Sequence, residues 1–175
     1  VGEPPYHITS MGVPTSWSIV MTLRTDALKN GNTLLSIGTY SYVGTTYIQL
    51  AGNAAGGIAL SYQPDAASVT IMPAGTLTAN TDFVIGVSYE ATTQTVTVFV
   101  NNIANKGTYV ATNPLPSLVS SFFWPLSYSY AGGFNFHGKW VMWAVYSQAF
   151  NAGDASFDNN ISNIIKASKA YWNFS

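Results

Sequence analysis

Charge is what this sequence has least of. Asp, Glu, Lys and Arg together make up 7% of its 175 residues, against roughly a quarter in an ordinary globular chain. Six basic and seven acidic residues leave a net charge of -1. Such a balance provides no basic stripe to neutralise phosphates and no field to steer an anionic partner, so nucleic acid is not an expected ligand. Cysteine is absent, which excludes disulfide frameworks and thiolate metal sites but leaves the redox compartment open. Histidine occurs twice, at His7 and His137, too few for a His-rich metal centre. No apolar run reaches the roughly 18 residues that span a bilayer, so membrane insertion is not expected. The chain opens on Val1 rather than Met, as a processed, trimmed or partial chain would.

Hydrophobic residues, by contrast, reach 47% and aromatics 14%. With charge so scarce, Ser, Thr, Asn, Gly and Tyr must cover the surface. A neutral surface of this kind suits an uncharged ligand such as a glycan, or burial against protein, including copies of the same chain. The length fits a single domain over residues 1–175. Composition of this type, with sequons at Asn160-Ile161-Ser162 and Asn173-Phe174-Ser175, points to a secreted, extracellular or virion-surface setting.

Periodicity makes the chain all-β. From Trp17 to Thr25 the residues Trp17, Ile19, Met21 and Leu23 alternate with Ser18, Thr22 and Arg24, the pattern of a half-buried strand. Asn30-Gly31 then predicts a tight turn and a hairpin into Thr33–Thr39. Short runs at Tyr47–Ala51, Gly57–Tyr62 and Ser68–Met72 follow, divided by Gly, Asn or Pro, and read as antiparallel neighbours. Phe83, Ile85, Val87 and Tyr89 alternate, as do Val96, Val98 and Val100, which predicts a hairpin near a sheet centre. Between Asn101 and Ser121 the pattern fades into Asn113-Pro114-Leu115-Pro116, so a long connection is expected there. Strand signal returns at Phe122–Leu126, and Phe136–Ser147 is apolar almost throughout, as in a core strand buried on both faces. Only the tail is helical in pattern: Phe157, Ile161, Ile164, Ile165 and Ser168 recur at three and four, with Asp154 or Ser156 as the cap.

Read in order, Trp17-Ser18-Ile19-Val20-Met21, Asn32-Thr33-Leu34-Leu35-Ser36-Ile37-Gly38, Phe83–Tyr89, Thr95–Asn101, Phe136-His137-Gly138-Lys139-Trp140 and Val145-Tyr146 resemble the laminin G-like branch of the concanavalin A-like lectins and glucanases. The resemblance implies a jelly-roll sandwich of two antiparallel sheets, here with one short C-terminal helix. It also implies a scaffold shared by glycan binding, adhesion and glycoside hydrolysis, so the choice among them falls to the site residues.

Hydrolysis needs two carboxylates across the scissile bond, and the glucanases that this chain resembles place theirs close together on one strand. The acidic residues here are Glu3, Asp26, Asp65, Asp82, Glu90, Asp154 and Asp158. Only Asp154 and Asp158 fall within four residues of each other, at the start of the expected helix, where they suit its positive end. No catalytic residue is therefore assigned, and His137 is read as a structural histidine. Calcium, which assists binding in several members of that family, would find its one local set of oxygens at Asp26, Asn30 and Asn32, a set that a solvated turn explains equally. No cofactor is otherwise expected.

Aromatics in the expected connections carry the functional reading. Tyr40, Tyr42, Trp124, Tyr128 and Tyr130, with Asn135, could stack on sugar C–H faces and fix hydroxyls. The expected function is non-catalytic, lectin-like binding of a neutral glycan. A structural or adhesion module in a virion or extracellular assembly is the alternative, and a glycoside hydrolase comes third.

Overall fold

The computed structural model describes residues 6–7, 16–39, 46–115, 121–125, 138–150 and 155–171. Its strands are β1 (Tyr6–His7), β2 (Trp17–Thr25), β3 (Asn32–Thr39), β4 (Thr46–Gly52), β5 (Ile58–Tyr62), β6 (Ala67–Met72), β7 (Thr81–Glu90), β8 (Thr95–Val100), β9 (Asn102–Val110), β10 (Ser121–Pro125) and β11 (Gly138–Tyr146), followed by helix α1 (Ala155–Tyr171). They form a six-stranded sheet in the order β1-β10-β3-β4-β5-β6 and a five-stranded sheet in the order β11-β2-β7-β8-β9. Every pairing is antiparallel. The expected two-sheet sandwich with one C-terminal helix is what the chain forms.

Period-two alternation builds the core. Ile19, Met21 and Leu23 of β2, Ile85 and Val87 of β7, and Val96 and Val98 of β8 meet Leu35, Ile37, Ile48, Leu50 and Leu60 of the other sheet in one buried cluster. Each such side chain, fully buried, contributes about 1.5–3 kcal/mol. Residues on the opposite face of the five-stranded sheet are buried too, because α1 lies over it: Val20, Val84 and Phe99 pack with Ile161 and Ile165. Phe150 bridges the two, its ring 4.9 Å from Phe99 and 6.0 Å from Phe157. Asp158 in the first turn of α1 and Lys169 in the last suit the helix dipole.

Four sequence expectations are corrected. β2 and β3 are not a hairpin: β2 pairs with β7 and β11, β3 with β4 and β10. Both strands turn their apolar faces to the same core, so they belong to facing sheets, and residues 26–31 have the reach to cross the roughly 10 Å between them. Of the Asn30-Gly31 pair, only Gly31 takes a positive φ, at 75°. In the supposed connection after Asn101 lies β9, an edge strand whose mostly exposed side chains carry little hydrophobic signal. β11, expected as a core strand buried on both faces, lies at a sheet edge, and its Val145 and Tyr146 are only partly buried, against the inter-sheet core and the cluster beneath α1 respectively. Ser156 lies inside the first turn of α1, not before it, and Asp154 is outside the described residues.

The two sheets close on one side through β6 and β9. A Cβ at Gly107 would fall 1.8 Å from the carbonyl oxygen of Ile71, so only glycine permits the approach. Nearby, Asp65 in the turn after β5 accepts hydrogen bonds from the Tyr109 hydroxyl (2.7 Å), Thr112 N–H (2.8 Å), Asn113 N–H (2.8 Å) and Asn113 Nδ2 (2.9 Å). These bonds tie the end of β9 to the opposite sheet and hold the carboxyl at about 2, below its ordinary 3.8, with the Tyr109 hydroxyl the largest cause. The same bond pushes the Tyr109 phenol up. Tyr62, whose hydroxyl donates to Asn113 O at 2.9 Å, is pushed up chiefly by burial.

Candidate functional site

No strand of the six-stranded sheet contains Asp, Glu, Lys or Arg. The strand charges, Arg24, Asp82, Glu90, Lys106 and Lys139, all belong to the five-stranded sheet. On the outer face of the charge-free sheet Ser36 pairs with Gln49, Gln49 with Ser61, and Ser61 with Ser68, and the backbone register extends this row to a fifth strand at Trp124. Directly opposed residues share a face, and at about 4.8 Å per strand the row runs roughly 19 Å. The adjoining row, Ala51, Ala59 and Thr70, is made of small residues, which keeps the face shallow.

Within this row Gln49 Nε2 donates to Thr33 Oγ1 at 3.0 Å, which orients the amide. Ser36 is only 2% exposed, and its hydroxyl has no hydrogen-bond partner. A buried hydroxyl without a partner is rare in a native fold, and at this exposure Ser36 is covered rather than open to the face. Chemically, the described residues of this row offer hydroxyls and one oriented amide.

A concavity of about 410 Å³ lies on the outer face of the other sheet. Thr95 and Thr97 of β8 and Thr108 of β9 line its sheet wall, Thr92 and Thr93 belong to the turn before β8, and Glu90, Lys106 and Phe150 complete it. Glu90 is held in place, its Oε1 accepting from Ser16 Oγ at 2.9 Å and from Thr92 N–H at 3.1 Å. Asp82 and Glu90 sit at opposite ends of β7, about 27 Å apart at 3.4 Å per residue. Glycosidase carboxylates stand about 5–9.5 Å apart, so these two do not form a hydrolytic pair.

Of the glycan-binding residues expected from sequence, Tyr40, Tyr42, Tyr128, Tyr130 and Asn135 lie outside the described residues, as does His137. Trp124 is in β10, in register with Ser36. The strand ends leading to Tyr40 and to Tyr128 are Thr39 and Pro125, and Pro125 pairs with Leu35, so these exits stand about 13 Å apart along β3. Of the calcium candidates, Asn30 Oδ1 accepts the Ala54 N–H at 3.0 Å and Asn32 Nδ2 donates to Ala27 O at 3.4 Å; both side chains shape the turn. Among the described residues no cluster of three or more His, Cys, Asp or Glu could hold a metal. No helix among them is long and apolar enough to cross a membrane.

Sequence reasoning missed Ser36, Gln49, Ser61 and Ser68, which are unremarkable until the pairings align them. Thr95 and Thr97 did leave a signal, since each alternates with a core valine.

The sequence matches no protein-family model and no curated protein. Solved structures do match. A Trypanosoma rangeli sialidase mutant with trans-sialidase activity aligns over 86% of this chain and 22% of its own, at 15% identity and a TM-score of 0.61. A proposed carbohydrate-binding protein of Bacteroides ovatus aligns over 86% and 40%, at 16% identity and 0.56. A heptameric SAP-like pentraxin of Limulus polyphemus aligns over 87% and 71%, at 10% identity and 0.60. The chain thus spans well under half the length of the first two. These likenesses establish the fold, a concanavalin A-like, laminin G-like sandwich.

Proposed function

We propose that this concanavalin A-like sandwich is a single non-catalytic recognition domain for a neutral glycan, working in an extracellular or virion-surface setting. The ligand sits on the uncharged face of the six-stranded sheet, along the row from Trp124 to Ser68, and Tyr40, Tyr42, Tyr128, Tyr130 and Asn135 are proposed as further contacts from their chemistry alone. One observation carries the reading: a whole sheet without a charged residue, whose outer face presents the Ser61 and Ser68 hydroxyls and an oriented amide. Such a face matches the hydroxyls of an uncharged sugar and gives no advantage to an ion. The Bacteroides ovatus likeness supports the same class of ligand.

Glycan-array screening followed by calorimetry on abundant neutral polysaccharides tests the proposal. Trp124→Ala and Gln49→Ala should each weaken binding about tenfold, the scale of one aromatic contact or hydrogen bond. Uniform absence of binding, with and without calcium, overturns it.

The second reading is a structural or adhesion module that buries the same face against copies of itself. The heptameric Limulus pentraxin favours it. Light scattering separates the two, since an obligate oligomer that ignores sugars supports assembly. For the third reading, hydrolysis, a reducing-sugar assay on β-glucans is expected to show no activity, and activity lost in Glu90→Gln or Asp82→Asn would revive it.

A further inference from the structure

We infer that the chain holds a second saccharide site, the threonine-lined concavity on the outer face of the five-stranded sheet, so that one molecule grips two glycan segments on opposite sides. The inference rests on the glycan reading above for its ligand class but on different residues for its site.

Local sequence makes the site. Val96 and Val98 point into the core, so alternation turns Thr95 and Thr97 outward; Thr97 is the register partner of Thr108. A threonine hydroxyl both donates and accepts, which is the chemistry that a sugar hydroxyl needs. Glu90, fixed through its Oε1 by Ser16 and Thr92, adds an anchored acceptor of the kind that vicinal hydroxyls bridge. Lys106 stands on the far strand, four residues along from the Thr95 pairing. The two charges cancel, so an anion or a cation gains at one end and loses at the other, while a neutral polyol uses both as hydrogen-bonding groups.

Two further features border the concavity. Ser88, 1% exposed, is the register partner of Thr97, and its hydroxyl has no hydrogen-bond partner. The same face therefore carries an unmet polar group beside the concavity. Phe150 forms an apolar wall, its ring packed against Phe99 and Phe157. At about 410 Å³ the space lies near the low end of the roughly 300–1,000 Å³ typical of small-ligand sites. It fits a mono- or disaccharide rather than a long chain threaded through.

The two sites lie on outward faces of different sheets, with the whole core between them. A monomer so built bridges two glycan chains without oligomerising, and its hold on a multivalent surface exceeds that of either site alone.

Proton–nitrogen correlation spectra titrated with maltose, cellobiose, lactose and N-acetylglucosamine test this. The expected result is two separable groups of shifts, one around Thr97 and Thr108 and one around Gln49 and Ser61. Replacing both Thr97 and Thr108 by Val should weaken the first group about tenfold or more and leave the second unchanged. Gln49→Ala should do the reverse. Beads bearing a sugar that binds should be cross-linked by the native chain and by neither variant. If the double variant fails to fold, Thr108→Val alone, at an exposed position, carries the test. Shifts confined to the six-stranded face, or titrations unaltered by the threonine variants, overturn the second site and leave the proposed function standing. Absence of shifts on both faces overturns both.

Discussion

Asn101 completes a ladder that β8 leaves one rung short. Its Oδ1 accepts the Val84 N–H at 2.9 Å, while its own N–H donates to the Val84 carbonyl at 2.7 Å. The residue turns the chain from β8 into β9 at φ 60°, a left-handed value that Asn tolerates better than most residues. A side chain thus stands in for backbone between the two sheet-centre strands.

Asn101→Ala should destabilise the fold by about 1–3 kcal/mol, because the Val84 N–H loses its acceptor within the sheet. Asn101→Asp keeps an acceptor and should fall much less. Asn101→Gly eases φ without restoring the bond, so it should lie between them. Urea midpoints at constant slope rank the three variants, and an Ala variant as stable as the Asp variant contradicts the account.

Asp65 predicts an acid limb. Its carboxyl is lowered to about 2 in the fold from an ordinary 3.8, first by the Tyr109 hydroxyl and then by the Thr112 and Asn113 donors. A depressed value means that the contribution is fully present above 3.8 and disappears as pH falls toward 2. Thermal midpoints recorded from pH 5 to pH 2 should therefore drop more steeply for the native chain than for Asp65→Asn. Parallel curves would show that the clamp does not titrate.

Gly107→Ala should cost about 1–3 kcal/mol or more, since the new methyl meets the Ile71 carbonyl, which is backbone and cannot rotate aside. Thr108→Ala next to it, exposed, should stay within about 0.5 kcal/mol. Equal thermal midpoints for the two variants would refute the close approach of β9 to β6.

Removing the apolar seam of α1 should uncover the sheet beneath. Ile161→Ala is expected to cost about 2–5 kcal/mol and to raise binding of a hydrophobic dye as Val20, Val84 and Phe99 become accessible. Lys166→Ala, on the exposed side, should do neither, and dye binding unchanged in Ile161→Ala would disprove the packing.

Strand positions were largely legible because alternation writes a two-faced strand directly into sequence: β2 was read over Trp17–Thr25, the residues it occupies. Pairing was less legible. The step from β2 to β3 carries the turn chemistry of a hairpin, and only the need of both strands to face one core sends them to different sheets. β9 escaped notice because an edge strand with mostly exposed side chains and Gly107 at its close approach lacks an apolar stripe. The site suffered most. Ser36, Gln49, Ser61 and Ser68 are scattered over 33 positions and become one row only through three antiparallel registers, whereas Trp124 stood out as a bulky aromatic in an expected connection.

The meeting of β6 and β9 has a bearing on how copies of this chain behave in a crowd. With a net charge of -1, long-range repulsion between molecules is slight, and bare strand edges would invite growth by pairing. Gly107, by letting one edge settle against Ile71 of the other, turns both inward. Two of the four strand edges are thus covered by geometry rather than by charge, while β1 and β11 remain the outer strands of their sheets.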